Sequence, residues 1–469
     1  MIPMTLTDIA AAVGGTLSGA DPSATVTGTV EFDSRAVGAG GLFAAFDGAK
    51  VDGHEFAAKA VEQGAVAVLA TRPVDAPAIL VDDARAALGR LASEVLRRLP
   101  DLTVIGLTGS SGKTTTKDLL AGLLSRLGPT VATAGSFNNE LGLPHTVLRA
   151  GVDTRFLVLE MGARGVGHIR HLCEIAPPHV GVVVNVGVSH IGEFGSVEAI
   201  AAAKGELVEA LPEAGIAVLN ADDPRVRAMS SRTKAGVVLA GESAAAAVRA
   251  LDVSLDERGR AAYTLLYQGS ATPVQLAAAG RHQVGNSLLA AAVALRLGLS
   301  PAEVADALTG LKLASGRRMD VFDRPDGVTV IDDSYNANPA SMAAALRALV
   351  AIGTGRRTVA VLGYMAELGD QEQAGHEEVG RLAAELGVDR LIAVGPTAAA
   401  LDAGAATVTR WGGESVQVTD QDAALAWLRT GLRPGDVVLV KGSRYRTWQV
   451  ADALRPDAEP AITVPAGTA

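Results

Sequence analysis

The sequence predicts an α/β protein of three domains, and three observations carry that prediction. The first is length, since 469 residues suit about three domains at the usual ~150 residues each. The second is a series of short apolar strand candidates separated by helical stretches from residue 102 to about 313. That pattern belongs to a mostly parallel sheet with helices on both faces. The third is a second alternation of the same kind, starting at about residue 317, just after Ala314-Ser315-Gly316.

Residues 1–100 read as a small N-terminal α/β domain around Phe32-Asp33-Ser34-Arg35 and Asp52-Gly53-His54-Glu55-Phe56. A helical stretch at 84–99 and the break Pro100-Asp101 close it. The central domain, 101–314, takes strands from 103–107, 156–160, 180–186 and 216–220. Between 236 and 279 the pattern changes to alternation, as in Ala262-Tyr263-Thr264-Leu265-Leu266-Tyr267, and predicts a small antiparallel appendage. Helices follow at 284–297 and 301–311, and Ala314-Ser315-Gly316 reads as a hinge. The C-terminal domain, 315–455, places strands at 327–331, 358–363, 390–395 and 436–440 and is Rossmann-like. Residues 456–469, rich in Pro and Ala, read as a disordered tail.

Composition narrows the class of protein. With 48% hydrophobic but only 3% aromatic residues, the cores must be built of Ala, Val and Leu. The balance of 41 basic against 51 acidic residues, net −10, argues against nucleic acid or an anionic membrane as the main partner. A single cysteine, Cys173, cannot form an intrachain disulfide and reads as a core residue of a protein from a reducing compartment. No apolar run approaches the ~18 residues that span a bilayer, and Met1-Ile2-Pro3-Met4 opens no export signal. The expectation is a cytoplasmic monomer, not embedded in a membrane.

The stretch Thr108-Gly109-Ser110-Ser111-Gly112-Lys113-Thr114-Thr115-Thr116 lies between a strand candidate and a helical repeat, Leu119, Leu120, Leu123, Leu124 and Leu127, that stops at Gly128-Pro129. In such a strand-loop-helix unit, Gly109 to Gly112 can bring backbone N–H groups to phosphate oxygens at a helix N-terminus. Lys113 can neutralise the β- and γ-phosphates, and Thr114 can hold Mg²⁺ with Thr115 beside it. The spacing departs from the general P-loop, because Leu107 occupies the position of its first glycine.

Polar residues at the carboxyl ends of strands are the next candidates, since ligands of α/β sheets bind there. Glu160 ends one strand and reads either as a Mg²⁺ ligand or as a capping or ion-paired carboxylate. His190 follows another and reads as structural or as part of a second metal shell. Lys204, on an Ala-rich helix, reads from composition as a solvated residue. Asn138 and Asn139 can bind a polar ligand or shape a turn. The loop Asp332-Asp333-Ser334-Tyr335-Asn336-Ala337-Asn338-Pro339 reads as a binding loop, and Arg317-Arg318 can reach phosphate or adenine across the domain gap.

Taken together, Thr108 to Thr116, Ser136 to Pro144, Glu160-Met161-Gly162, Ser189-His190-Ile191-Gly192, Ala203-Lys204-Gly205-Glu206 and Asp333 to Pro339 resemble, in order and spacing, the Mur ligases of peptidoglycan synthesis. The resemblance covers nearly the whole chain. It implies an ADP-forming ligase that uses ATP and Mg²⁺, in two sites, to join D-alanyl-D-alanine to UDP-N-acetylmuramoyl-tripeptide through an acyl phosphate. By the same resemblance Lys113, Glu160, His190 and Lys204 are catalytic, with Thr114, Glu160, His190 and a carbamylated Lys204 holding metal. Gly109, Ser110, Ser111, Gly112, Lys113, Thr114, Thr115, Asn286, Arg318, Asp333 and Asn336 would bind the nucleotide. Ser34, Arg35, Asn138 and Asn139 would meet the UDP-sugar peptide, and His376 and Lys441 to Arg444 would face peptide or dipeptide. An Asp-Asn-Pro-Arg signature, expected of the diaminopimelate- or lysine-adding relatives, is absent. The competing readings are a ligase of another amino acid, such as a folate polyglutamate-type synthetase, and a catalytically inert nucleotide-binding scaffold.

Overall fold

A computed structural model describes residues 1–48, 51–188, 191–443 and 446–456. Three large sheets organise the chain. In the N-terminal one the strands lie in the order Thr16–Ser18, Ala78–Leu80, Ala65–Ala70, Gly41–Ala44 and Val30–Glu31, parallel except for the first pair. The helix Ala84–Arg97, capped by the Asp83 carboxylate, runs from this sheet towards the middle of the molecule.

The central sheet has nine strands. Its parallel part runs from Thr130–Ala132 through Phe156–Glu160, Thr103–Thr108, Val180–Val183, Ile216–Asn220 and Gly236–Gly241 to Val248–Leu255. Arg260–Tyr267 and Ser270–Ala279 then add on antiparallel. The alternating region at 236–279 is therefore antiparallel in part, but it is no separate appendage. Ala240 pairs with Val248, so the hairpins continue the parallel sheet edge to edge.

Alternation along Thr103–Thr108 sends Ile105 and Leu107 to one face, where they pack with Leu119, Leu120, Leu123 and Leu124 of the helix Lys113–Leu124 and with Val284 and Leu288 of Gln283–Arg296. Val104 joins the opposite core, shared with Leu207 and Val208 of the helix Val197–Glu209. That second core does not stop at the central sheet. It continues without a break through Leu143, Val147 and Ile175 to Leu88, Leu91 and Val95 of the N-terminal helix Ala84–Arg97.

The C-terminal sheet orders its strands Asp320–Asp323, Thr329–Asp332, Val437–Lys441, Thr358–Leu362, Arg390–Val394 and Glu414–Val418, parallel after the first pair. The strand Glu414–Val418 was hidden in sequence because Glu414 and Gln417 interrupt its apolar run. Its cores are separate from the other two, with one exception. Ala279, last residue of the central hairpins, is buried in a C-terminal core, Ile352 packs on Gly259 so closely that no Cβ would fit, and Arg258 pairs with Asp323 at 2.6 Å. The two domains thus touch at the hairpin end as well as at the connecting segment.

Candidate active site

The glycine-rich loop follows the strand Thr103–Thr108 and opens the helix Lys113–Leu124. Gly112 has φ +80°, and a Cβ there would lie 2.6 Å from the Asn286 side-chain oxygen, so both backbone and space require glycine. The Lys113 ammonium folds back on the Gly109 carbonyl at 2.8 Å. Asn185, just past the end of the strand Val180–Val183, grips the loop. Its Oδ1 accepts from the N–H groups of Ser110 (3.0 Å) and Ser111 (2.9 Å), while its Nδ2 donates to the Ser111 carbonyl (3.0 Å). Sequence reasoning passed over Asn185, although an Asn at a strand's carboxyl end beside such a loop carries the needed signal.

Glu160 is buried at the end of Phe156–Glu160. One of its oxygens accepts from Thr114 Oγ1 (2.9 Å), the other from Asn138 Nδ2 (2.8 Å). Lys113 and Lys204 face the same cavity, and neither lies on the solvated surface. Burial lowers both amines from the usual lysine range, Lys204 further, with the Lys113 charge adding to its shift. The reading of Lys204 from composition as a solvated residue is therefore overturned. The small side chains around it do not mark an exposed face; they let the helix Val197–Glu209 pack tightly and bury the lysine.

The third domain supplies the opposite wall of a cavity of about 1280 Å³. Arg318 donates to Thr114 Oγ1 at 3.2 Å and lies over the Tyr335 ring at 4.2 Å, while its Nε is buried without a partner among the described residues. Asn338 caps the helix Pro339–Ile352 and reaches Ser111 Oγ across the gap at 3.1 Å. Tyr335 meets Ser136 in the same way. Asp333 forms a buried ion pair with Lys441, which also donates to the Asn336 carbonyl at 2.9 Å.

Ser110, Ser111, Gly112, Lys113, Thr114, Thr115, Asn138, Asn139, Glu160, Lys204, Asn286, Arg318, Asp333 and Asn336 all line this one cavity. Gly109 is not among the lining residues; a Cβ there would lie 2.8 Å from Val184. His190 and Arg444 fall outside the described residues. Ser34 and Arg35 do not line the cavity; Ser34 is buried in a short 3₁₀ turn and Arg35 is exposed and paired with Asp33. The N-terminal domain approaches instead through Phe32, whose ring meets Phe137 and His145. His376 is no peptide contact. It is fully buried, its Nε2 accepting from the Met365 N–H at 2.9 Å and its Nδ1 sitting 2.7 Å from the Glu372 carbonyl, so it braces a turn. Arg164, His168 and His171, which no motif marked, also line the cavity.

The chain is similar to known proteins over nearly its whole length. Residues 28–95 match the Mur ligase family catalytic domain, 107–294 the Mur ligase middle domain and 317–444 the Mur ligase glutamate ligase domain. The chain is 50% identical to the UDP-N-acetylmuramoyl-tripeptide--D-alanyl-D-alanine ligase of Mycobacterium tuberculosis strain H37Rv, over 97% of this chain and 98% of that protein. It superposes on a crystal structure of MurF from Acinetobacter baumannii with TM-score 0.87 and 32% identity, covering 96% of this chain and 98% of the other. The MurF ligase of Thermotoga maritima in complex with ADP matches with TM-score 0.79 at 32% identity, over 92% and 97% of the two chains. With a glycine-rich loop opening a helix, a buried carboxylate beside it and relatives matched over nearly the whole chain, the chain belongs to the Mur ligase family.

Proposed function

We infer that this chain is an ATP-dependent ligase that joins D-alanyl-D-alanine to UDP-N-acetylmuramoyl-tripeptide, releasing ADP and phosphate, and that it works as a monomer in the cytoplasm. One observation carries the reading: Lys113, Thr114, Glu160 and Lys204 from the central domain and Arg318, Asp333 and Asn336 from the third converge on a single cavity.

In the reaction the terminal carboxylate of the tripeptide attacks the γ-phosphorus of ATP and ADP leaves. The dipeptide amine then attacks the acyl phosphate carbon, phosphate departs and the amine proton passes to solvent. Two anions must meet in the first step, so cationic groups have to offset their repulsion. Lys113 sits where it can swing from the Gly109 carbonyl to the β/γ-phosphates, and Arg318 carries a spare donor for a phosphate oxygen. Asn185 fixes the backbone of Ser110 and Ser111 at the start of the helix, where a phosphate would sit. Asn336 and Asp333 are the proposed partners of adenine and ribose, Asn138 and Asn139 those of the peptide.

The adjoining hydroxyl of Thr114 and carboxylate of Glu160 form the hard-oxygen donor set that suits Mg²⁺. Lys204, as its carbamate, and His190 are the proposed holders of a second ion. Burial lowers the Lys204 amine from the usual lysine range and so favours the neutral form that can add to CO₂. When bound, Mg²⁺ supplies the positive charge that draws carboxylate and triphosphate together.

The test is ADP release with UDP-N-acetylmuramoyl-tripeptides differing at their third residue, D-alanyl-D-alanine being offered against single amino acids. Release that needs both the tripeptide and the dipeptide is expected. Release with a single amino acid, or none with both substrates, would sink the reading.

A further inference from the structure

Lys117 and Asp118 are neighbours on the helix that opens at Lys113, and both are nearly fully buried, at 2% and 5% exposure. Consecutive helical residues normally point in different directions. Here the long lysine stem curls round so that its ammonium lies 2.7 Å from the Asp118 carboxylate. The pair lies outside the cavity lining, so binding of nucleotide does not account for two charges placed in the interior.

Their other partners do account for them. Asp118 Oδ2 accepts from the Ser315 N–H at 2.9 Å, and Lys117 donates to Ser315 Oγ at 3.2 Å. Ser315 belongs to the segment that connects the central domain to the third. Lys117 also donates to the Thr133 carbonyl at 2.8 Å, while Thr133 Oγ1 accepts from the Glu160 N–H at 3.0 Å. One lysine therefore ties together the phosphate-loop helix, the residue that holds Glu160 and the interdomain connection.

Three residues beyond Ser315 stands Arg318. Its neighbours Arg317 and Met319 both have positive φ, 60° and 54°, a conformation that persists in such residues only when its surroundings enforce it. The enforcement comes from both sides. Upstream, Ser315 is fixed to Asp118 of the central domain; downstream, the Met319 N–H donates to Asp333 of the third domain at 3.2 Å. Arg318 is strung between two carboxylates, one from each domain.

We propose that Lys117 and Asp118 are positioning residues that anchor the connecting segment at Ser315 and thereby aim Arg318 at Thr114 and the triphosphate. The proposal rests on the ligase reading above. The test is a cycle of four proteins: wild type, the double variant Lys117→Met/Asp118→Leu, Arg318→Lys, and the three substitutions combined. The double variant replaces the charge pair by apolar side chains of similar length and leaves no unpaired charge in the interior. Its kcat/KM for ATP is expected to fall at least roughly tenfold in the wild-type background and less than about twofold in the Arg318→Lys background, because neighbours acting as one unit are not additive. Equal losses in both backgrounds, or no loss in either, would overturn the proposal. Should the double variant fail to fold by circular dichroism, Asp118→Asn enters the same cycle with the same two criteria. If the wild type releases no ADP with both substrates, the ligase reading fails instead, and the latch is judged by the affinity for ADP in the same four proteins.

Discussion

The seam between the N-terminal and central domains and the seam between the central and C-terminal domains are built of opposite materials. Across the first, Leu88, Leu91 and Val95 share one core with Leu143, Val147 and Ile175, so parting the domains would expose buried apolar surface. Across the second, much of the contact is polar: Ser111 with Asn338, Ser136 with Tyr335 and Thr114 with Arg318. Water can replace such partners at little net cost. The difference teaches where this molecule is a single body and where it can change shape. Relative motion is the default between domains unless their interface is large and apolar. The polar seam is also the one that contains the cavity of about 1280 Å³.

The comparison is sharpened most by substitutions on its two sides. Lys113→Ala, on the polar side, is expected to lower kcat by about 10³ with no change in thermal stability, since it removes the charge proposed to neutralise the transferring group. A variant that retained full ADP release would break the assignment. Leu88→Ala, in the shared core, should do the reverse, costing about 2–5 kcal/mol of stability in denaturant titration while leaving kcat of the folded fraction unchanged. If its kcat fell with its stability, the apolar seam would belong to the moving parts after all.

Asn338→Ala gives a smaller effect that combines the two. It removes the cap of the helix Pro339–Ile352, worth about 1 kcal/mol in thermal melting, together with the contact to Ser111, so the KM for ATP should rise alongside. A loss of stability with unchanged KM would make Asn338 a cap and nothing more.

The smallest effect is expected at Cys173, in the shared core beside Met161. Burial favours the thiol over the thiolate and pushes its pKa from the ordinary 9.0 up to about 12. Its contribution to stability is therefore complete below pH 9 and lost as the pH rises above it. At pH 8 a thiol reagent should label Cys173 no faster than the protein unfolds, and rapid labelling would show that the apolar seam opens locally.

Much of this was legible in the sequence, and the failures have physical causes. The strand, glycine loop and helix at 103–124 are local, and each residue type there has one dominant use. Lys204 was misread from composition because burial of a lysine is decided by what packs over it, and nothing in an Ala-rich helix reveals that. His376 failed in the opposite sense, a reactive residue type serving as a hydrogen-bond brace. Asn185 and Lys117 act through contacts 74 and 198 residues away, the first to Ser111 and the second to Ser315. Such partners exist only after the chain has folded. The stretch 236–279 was read as antiparallel, which holds for the hairpins at 248–279 but not for the parallel strand Gly236–Gly241, because alternation does not tell which edge a strand will extend.

Those hairpins have a mechanical consequence. The third domain is attached to the rest at Ser315 and again at Ala279, Gly259 and Arg258. A body pinned at one point can tumble in any direction, whereas a body pinned at two retains a single rotation about the line that joins them. Rotation about the line from Ser315 to the hairpin end would carry Arg318 and Asn338 away from the glycine-rich loop and back along a single arc.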